Sequence, residues 1–173
     1  MKIFIILTIL FSSLFSHPHT FIDIHPTIKI VDDKNFIINF RWFIDDMTST
    51  MLMMELDQNG DGKIDTKESK YAENEYFSIF EDYDYYTHIL VNGKKVKFPV
   101  AKNFQASLQN NKICYSFDIK LKQNIKNTTL EFGDTDFYVA MILKDEFVDA
   151  KDLSTKVSGV DNDFYYGYKL EFK

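Results

Sequence analysis

Residues 57–68 read Asp-Gln-Asn-Gly-Asp-Gly-Lys-Ile-Asp-Thr-Lys-Glu. Side-chain oxygens stand at the first, third, fifth, ninth and twelfth places of the run, on Asp57, Asn59, Asp61, Asp65 and Glu68. A calcium ion takes about six to eight oxygens, and a loop of this length offers them from these places. The seventh residue, Lys63, contributes its backbone carbonyl, so its side chain is no obstacle. Gly62 occupies the sixth place, where the chain must turn sharply, and Ile64 follows as an apolar anchor. The pattern predicts a calcium loop of the EF-hand type. Its ligands would be Asp57, Asn59, Asp61, the Lys63 carbonyl, Asp65 through a water, and Glu68 as the bidentate closing group.

A second group of donors is made of nitrogen. Of the four histidines, three fall at His17, His19 and His25. Lys2, the apolar run Ile3–Phe11 and the small residues up to Ser16 have the form of a secretory signal peptide spanning residues 1–16. The apolar run is shorter than the roughly 20 residues a membrane span needs. Cleavage after Ser16 would leave His17 with a free α-amine beside its imidazole, a pair able to chelate one metal ion, and His19 would add a third nitrogen. Imidazole suits zinc, copper, nickel and cobalt, whereas calcium prefers oxygen. Pro18 has no amide N–H, which rules out the square-planar copper or nickel chelate built on successive backbone amides. His25 precedes Pro26 in a strand-like run and is expected to be structural, and His88 reads as a satisfied strand histidine. No Ser-His-Asp or Cys-His order stands out. The one cysteine, Cys114, can form no internal disulfide and lies in an alternating run, so it is expected to be a core thiol.

These groups need elements to position them. Alternating residues over 19–31 and 36–44, with a turn at Asp32-Asp33-Lys34-Asn35, predict a first hairpin. From Asp45 the period changes to that of a helix entering the loop, and a helix leaving it is expected to run to about Phe80. Met47, Met51, Met53 and Met54 are expected to pack the entering helix onto the sheet. Asn92-Gly93 and Asn110-Asn111 mark two further hairpins, with strands over 87–91, 95–98, 103–108 and 113–121. Strands over 128–132, 137–143 and 164–172 complete the set. The fold class that follows is α+β: an antiparallel β-sandwich-like domain over 17–173, with a single EF-hand inserted at about 46–80. The net charge of −6 and the lack of a basic stripe argue against a nucleic-acid partner.

Several runs together resemble a known family. They are His17-Pro-His-Thr-Phe-Ile-Asp23, Arg41-Trp-Phe-Ile-Asp-Asp46, the loop from Leu56, Tyr85-Tyr-Thr-His-Ile-Leu-Val-Asn-Gly-Lys94 and Phe132-Gly-Asp-Thr-Asp-Phe-Tyr-Val-Ala140. Over essentially the whole mature chain they are similar to a bacterial periplasmic family labelled as a domain of unknown function. That family is described as the periplasmic component of a transport system, encoded beside or fused to permeases of the nickel/cobalt (NicO) class, one such pair acquiring zinc. The resemblance implies a periplasmic location in a Gram-negative bacterium and an inner-membrane NicO-type permease as partner. The cargo would be zinc, nickel or cobalt, held by His17 and His19, with Asp134 completing the site and Asp23 as the alternative carboxylate. Where the family has a Tyr-Asp-Pro type run, this chain has Gly133-Asp134-Thr135, keeping the carboxylate but not the proline. A second function stays open: a copper-dependent extracytoplasmic enzyme using the His17 amine and imidazole. Such an enzyme wants a distant second histidine, for which His88 is the candidate, and nothing else supports catalysis.

Overall fold

The structure, a computed structural model, describes residues 20–136, 138–151 and 153–173. Residues 1–16, expected to be a signal peptide, and His17 and His19 therefore lie outside the described residues. Among the described residues, ten strands form two five-stranded sheets. The first has the order β5-β6-β2-β1-β8, from Lys102–Gln109, Lys112–Leu121, Asn35–Ile44, Thr20–Asp32 and Val139–Ile142. The second has the order β4-β3-β7-β10-β9, from Lys94–Val96, Thr87–Val91, Thr128–Phe132, Tyr166–Phe172 and Thr155–Asp161. The mixed α+β, sandwich-like architecture follows from period-two burial. Ile22, Ile24 and Ile28 of β1 and Phe36, Ile38, Phe40 and Trp42 of β2 turn one way, against Ile89, Leu130, Phe132, Leu170 and Phe172 of the other sheet. Phe40 meets Phe132 at 6.0 Å and Phe36 meets Phe172 at 6.3 Å, ring centre to ring centre, closing the two layers.

The turns obey the residues that make them. Asn92 and Gly93 have φ of 50° and 74°, and Asn110 and Asn111 have 51° and 63°, the positive pair that matches a two-residue turn to the strand twist. At the first hairpin the Asp32 carboxylate accepts from Lys34 N and Asn35 Nδ2. One pairing is parallel: β1 residues Thr20–Asp23 run beside Val139–Ile142 of β8. Pro26 faces this same side of β1 beyond the end of β8, where its missing N–H costs no ladder bond.

Helices α1 (Asp46–Leu56) and α2 (Thr66–Ala72) sit between β2 and β3. Each is pinned to the first sheet by a serine. Ser49 Oγ donates to Ile44 O and accepts from Ile113 N, both at 2.9 Å, and Ser69 Oγ accepts from Ala106 N at 2.9 Å. Beyond α2 the chain does not continue as a plain α-helix to Phe80. It widens into a π-turn at Glu73–Phe77 and then tightens into 3₁₀ turns from Ser78. The widening delivers Phe77 into the aromatic core, where it packs on Trp42, Tyr85, Phe104 and Phe117. The methionine expectation holds only for Met53. Met47, Met51 and Met54 are 67, 64 and 80% exposed, because α1 buries one narrow edge through Ser49 and Leu56. Cys114 is buried in β6, and burial pushes its thiol up to about 11. β9 is a strand the residue pattern did not announce.

Candidate metal sites

The 57–68 loop is built by its own side chains. Asp65 caps α2, accepting from Lys67 N and Glu68 N, while Glu68 Oε2 accepts from Asp65 N at 2.9 Å, the reciprocal capping box. At the loop's start Asp57 Oδ1 accepts from Gly60 N and Asp61 N, and Oδ2 from Gly62 N at 2.8 Å. Asn59 Oδ1 accepts from Asp61 N, and Asp61 Oδ1 from Lys63 N. Gly60 and Gly62 have φ of 74° and 75°, a region open to glycine at no steric cost. Ile64 packs against the core as an anchor.

Glu68 is 2% exposed and lies inside the ring. Its Oε1 accepts from Gln58 N at 2.9 Å and Asn59 N at 3.2 Å, so one carboxylate ties the loop's beginning to its end. The backbone path and the donor types fit a hard cation. An ion in the loop would have to share or displace these three N–H groups at Glu68, because a carboxylate has only about four lone-pair sites.

The second place of interest is a cavity of about 180 Å³ lined by Asp82, Tyr83, Asp84, Tyr86, His88, Lys95, Gly133, Asp134 and Thr135. Its rim is strained. Asp84, Tyr85 and Tyr86 have φ of 50°, 51° and 49°, three successive left-handed residues without a glycine. Each costs about 1–3 kcal/mol and persists only when its surroundings hold it. Here Tyr85 is buried against Phe77 and Phe98, Gly133 N donates to Tyr86 O, Thr87 Oγ1 donates to Tyr85 O, and Lys95 Nζ lies 3.1 Å from Asp84 Oδ2.

Asp134 is buried and organises the turn after β7. Its Oδ1 accepts from Asp136 N, and its Oδ2 from Tyr138 N and Val139 N, each at 2.9 Å. Thr135 thus sits in a turn held by the Asp134 carboxylate. Val139 is the parallel partner of Thr20, and Thr20 N donates to Tyr138 O at 3.3 Å. Thr20 thus bonds directly to the Tyr138–Val139 peptide group whose N–H Asp134 holds.

His88 stacks on Tyr165 with ring centres 4.3 Å apart, as a strand histidine should. It is not fully satisfied, however: its Nε2 is buried and has no hydrogen-bond partner among the described residues. Burial lowers its pKa, with Lys95 acting the same way and the Gly133 carbonyl, Asp84 and Glu131 acting against. Burial also raises the Tyr86 phenol to about 12, helped by the nearby Asp134 charge. His25 is structural, stacked on Phe147 at 4.0 Å with Phe43 at its edge. Asp23 lies 3.8 Å from Lys112 Nζ and not on the His88 cavity's lining. Among the described residues no three His, Cys, Asp or Glu side chains gather into a metal-holding group. The strained turn had one partial signal in the sequence, Asp84, since Asp tolerates positive φ; Tyr85 and Tyr86 gave none.

A family profile described as protein of unknown function (DUF1007) matches residues 2–160. Over 94 residues the chain is 30% identical to an uncharacterized 15.5 kDa protein in the trpE 3' region of Spirochaeta aurantia, covering 53% of this chain and 67% of the relative. Over 149 residues it is 28% identical to an uncharacterized protein of Haemophilus influenzae, covering 82% of this chain and 70% of the relative. With nearly its whole length under one profile, the chain belongs to the DUF1007 family of proteins of unknown function.

Proposed function

We propose that this is a periplasmic metal-binding accessory protein of a transition-metal transport system, carrying zinc or a similar divalent ion and stiffened by calcium in the 57–68 loop. By resemblance its partner is an inner-membrane NicO-type permease. One observation carries the metal reading: Thr20, directly after His19, pairs with Val139, whose N–H is held by the buried Asp134 carboxylate. His17 and His19 lie just ahead of Thr20 in the sequence, and their nitrogen ligands would discriminate against calcium while the oxygen loop discriminates for it. Asp134 keeps little free lone-pair capacity, so its main part would be to shape the turn beside Thr20.

The test is zinc titration into calcium-loaded protein that begins at His17, beside a His17→Ala, His19→Ala double variant. The double variant is expected to lose zinc affinity, and an added residue ahead of His17 should weaken it by removing the α-amine. Binding should also fade below about pH 6, where imidazole is protonated. Equal affinity in the two proteins would sink the histidine site.

A further inference from the structure

We propose that the outward face of α1 is a docking surface for a basic, amphipathic helical segment of a partner protein. This goes beyond the metal reading and does not depend on it.

α1 carries apolar residues on two opposite sides. Ser49 and Leu56 are its buried residues, and at about 3.6 residues per turn Met47, Met51 and Met54 fall together on the side away from them. All three methionines are exposed. A helix resting on a sheet ordinarily turns polar residues to solvent, and apolar residues all round belong to a helix covered all round. Methionine suits such a contact, because its unbranched, polarizable side chain repacks against surfaces of different shape. The stripe runs at i, i+4 and i+7, the spacing of anchors in helix-to-groove recognition. Beside it Thr50, Met53, Met54 and Asp57 form one wall of an open groove of about 460 Å³, with Leu108 of β5 and Asn111 of the following turn opposite. Met54 belongs to both stripe and groove, so the two make one continuous surface.

The charge around the stripe selects the occupant. On the helix surface Glu55 borders the methionines on one side, and Asp46 and Asp57 border them on the other. Between Arg41 and Lys63 the chain has no Lys or Arg, but it has Asp45, Asp46, Glu55, Asp57 and Asp61. The last turn of α1 also lacks the basic residue that would offset the negative end of the helix dipole. Lys112, next to Asn111 in the chain, lies 3.8 Å from Asp23 and is engaged there. A second copy of this chain would set the same carboxylates face to face, which like-charge repulsion opposes. A helix with Lys or Arg flanking an apolar strip meets both the stripe and its acidic border. Calcium in the loop would engage Asp57 but not Asp46 or Glu55, so the border keeps its sign.

The probe is a synthetic peptide about four helical turns long, made of leucine and lysine with the leucines on one face. Its control carries glutamate in place of lysine. Both are titrated into calcium-loaded protein labelled at its methionine methyl groups. The lysine peptide is expected to shift the methyls of Met47, Met51 and Met54 and to leave that of Met141, buried in β8, in place. The glutamate peptide should shift none. A Met47→Gln, Met51→Gln, Met54→Gln variant keeps good helix formers at exposed places, and is expected to bind the lysine peptide at least about tenfold more weakly. Equal affinity in wild type and variant would mean that only the net negative charge attracts the peptide, and overturns the proposal. So do methyls that stay in place at saturating peptide, a reading on wild type that no loss of fold can mimic. Self-association of peptide-free wild type in sedimentation, abolished in the variant, would make a second copy the occupant and overturn it too. None of these outcomes touches zinc binding, so this proposal and the metal reading fail separately.

Discussion

His88 and His25 are both held below the ordinary histidine pKa of 6.5, in each case chiefly by burial. The unfolded chain takes up a proton on each near pH 6.5 that the folded chain resists. The stability they carry is thus whole above pH 6.5 and is lost as pH falls through that value toward their folded pKa. Urea unfolding of metal-free protein, followed by the fluorescence of the single tryptophan, should show stability falling between pH 7 and 5. His88→Phe should flatten that fall, and an unchanged slope would mean that His88 does not titrate as described. Asp45 acts in a different range: burial would raise it, but hydrogen bonds from Thr48, Phe21 and Met47 hold it below the ordinary carboxylate value. Its contribution is lost only at much lower pH. Glu68→Ala removes a capping box and orphans three loop N–H groups even without any ion, and is expected to cost about 2 kcal/mol by denaturant titration in chelator. Glu68→Gln keeps an accepting oxygen and should cost about half that. The Gly62 turn and the core thiol were legible in the residues, because each follows from local spacing. The orphaned Nε2 of His88 was not, since only the packing of β3 against Tyr165 reveals it.

Among the elements, the junction of β2 with α1 does the most positioning. Asp45 Oδ1 caps the helix through Met47 N and Thr48 N, while Oδ2 accepts from Phe21 N at 3.0 Å, tying the helix start to the front of β1. Asp45→Ala should destabilise the protein by about 1–2 kcal/mol and, on the metal reading, weaken zinc binding without touching a ligand. Two glycines contrast instructively. At Gly60 a new Cβ meets nothing within 4 Å, so Gly60→Ala pays only for its left-handed φ of 74°, about 1 kcal/mol. At Gly167 in β10 the same atom would lie 1.9 Å from the Phe132 carbonyl oxygen, so Gly167→Ala must part β10 from β7 and is expected to cost about 3 kcal/mol or more. Melting curves of the two variants read the difference. Hairpins were legible because Asn-Gly and Asn-Asn carry their own geometry. β9 was not: Thr-Lys-Val-Ser-Gly-Val-Asp is thin in apolar residues, and it survives as an edge strand through its pairing with β10. The break in the exit helix follows from the pull of Phe77 into the core, a tertiary demand that helical spacing does not carry.

At the scale of the molecule, the calcium proposed for the loop would act on the whole fold. α1 and α2 are pinned to β6 and β5 by Ser49 and Ser69, so an ion that tightens the loop also braces that end of the first sheet. An ion bound only by the folded state stabilises it by mass action. Millimolar calcium added to chelated protein is expected to raise the melting temperature of one cooperative transition, and Glu68→Ala should abolish the rise; no rise in wild type would remove calcium from the loop. The layered α+β architecture was legible from alternation and turns, while the order of strands was not, because register between distant strands is set by packing across the two sheets. The parallel seam between β1 and β8 has a consequence during synthesis. β2 emerges soon after β1 and closes one of its edges, but the other edge finds its partner only once Val139–Ile142 has left the ribosome. For most of translation the front of the chain is held from one side alone. The front of β1 locks into place only when the Asp134 turn has been made.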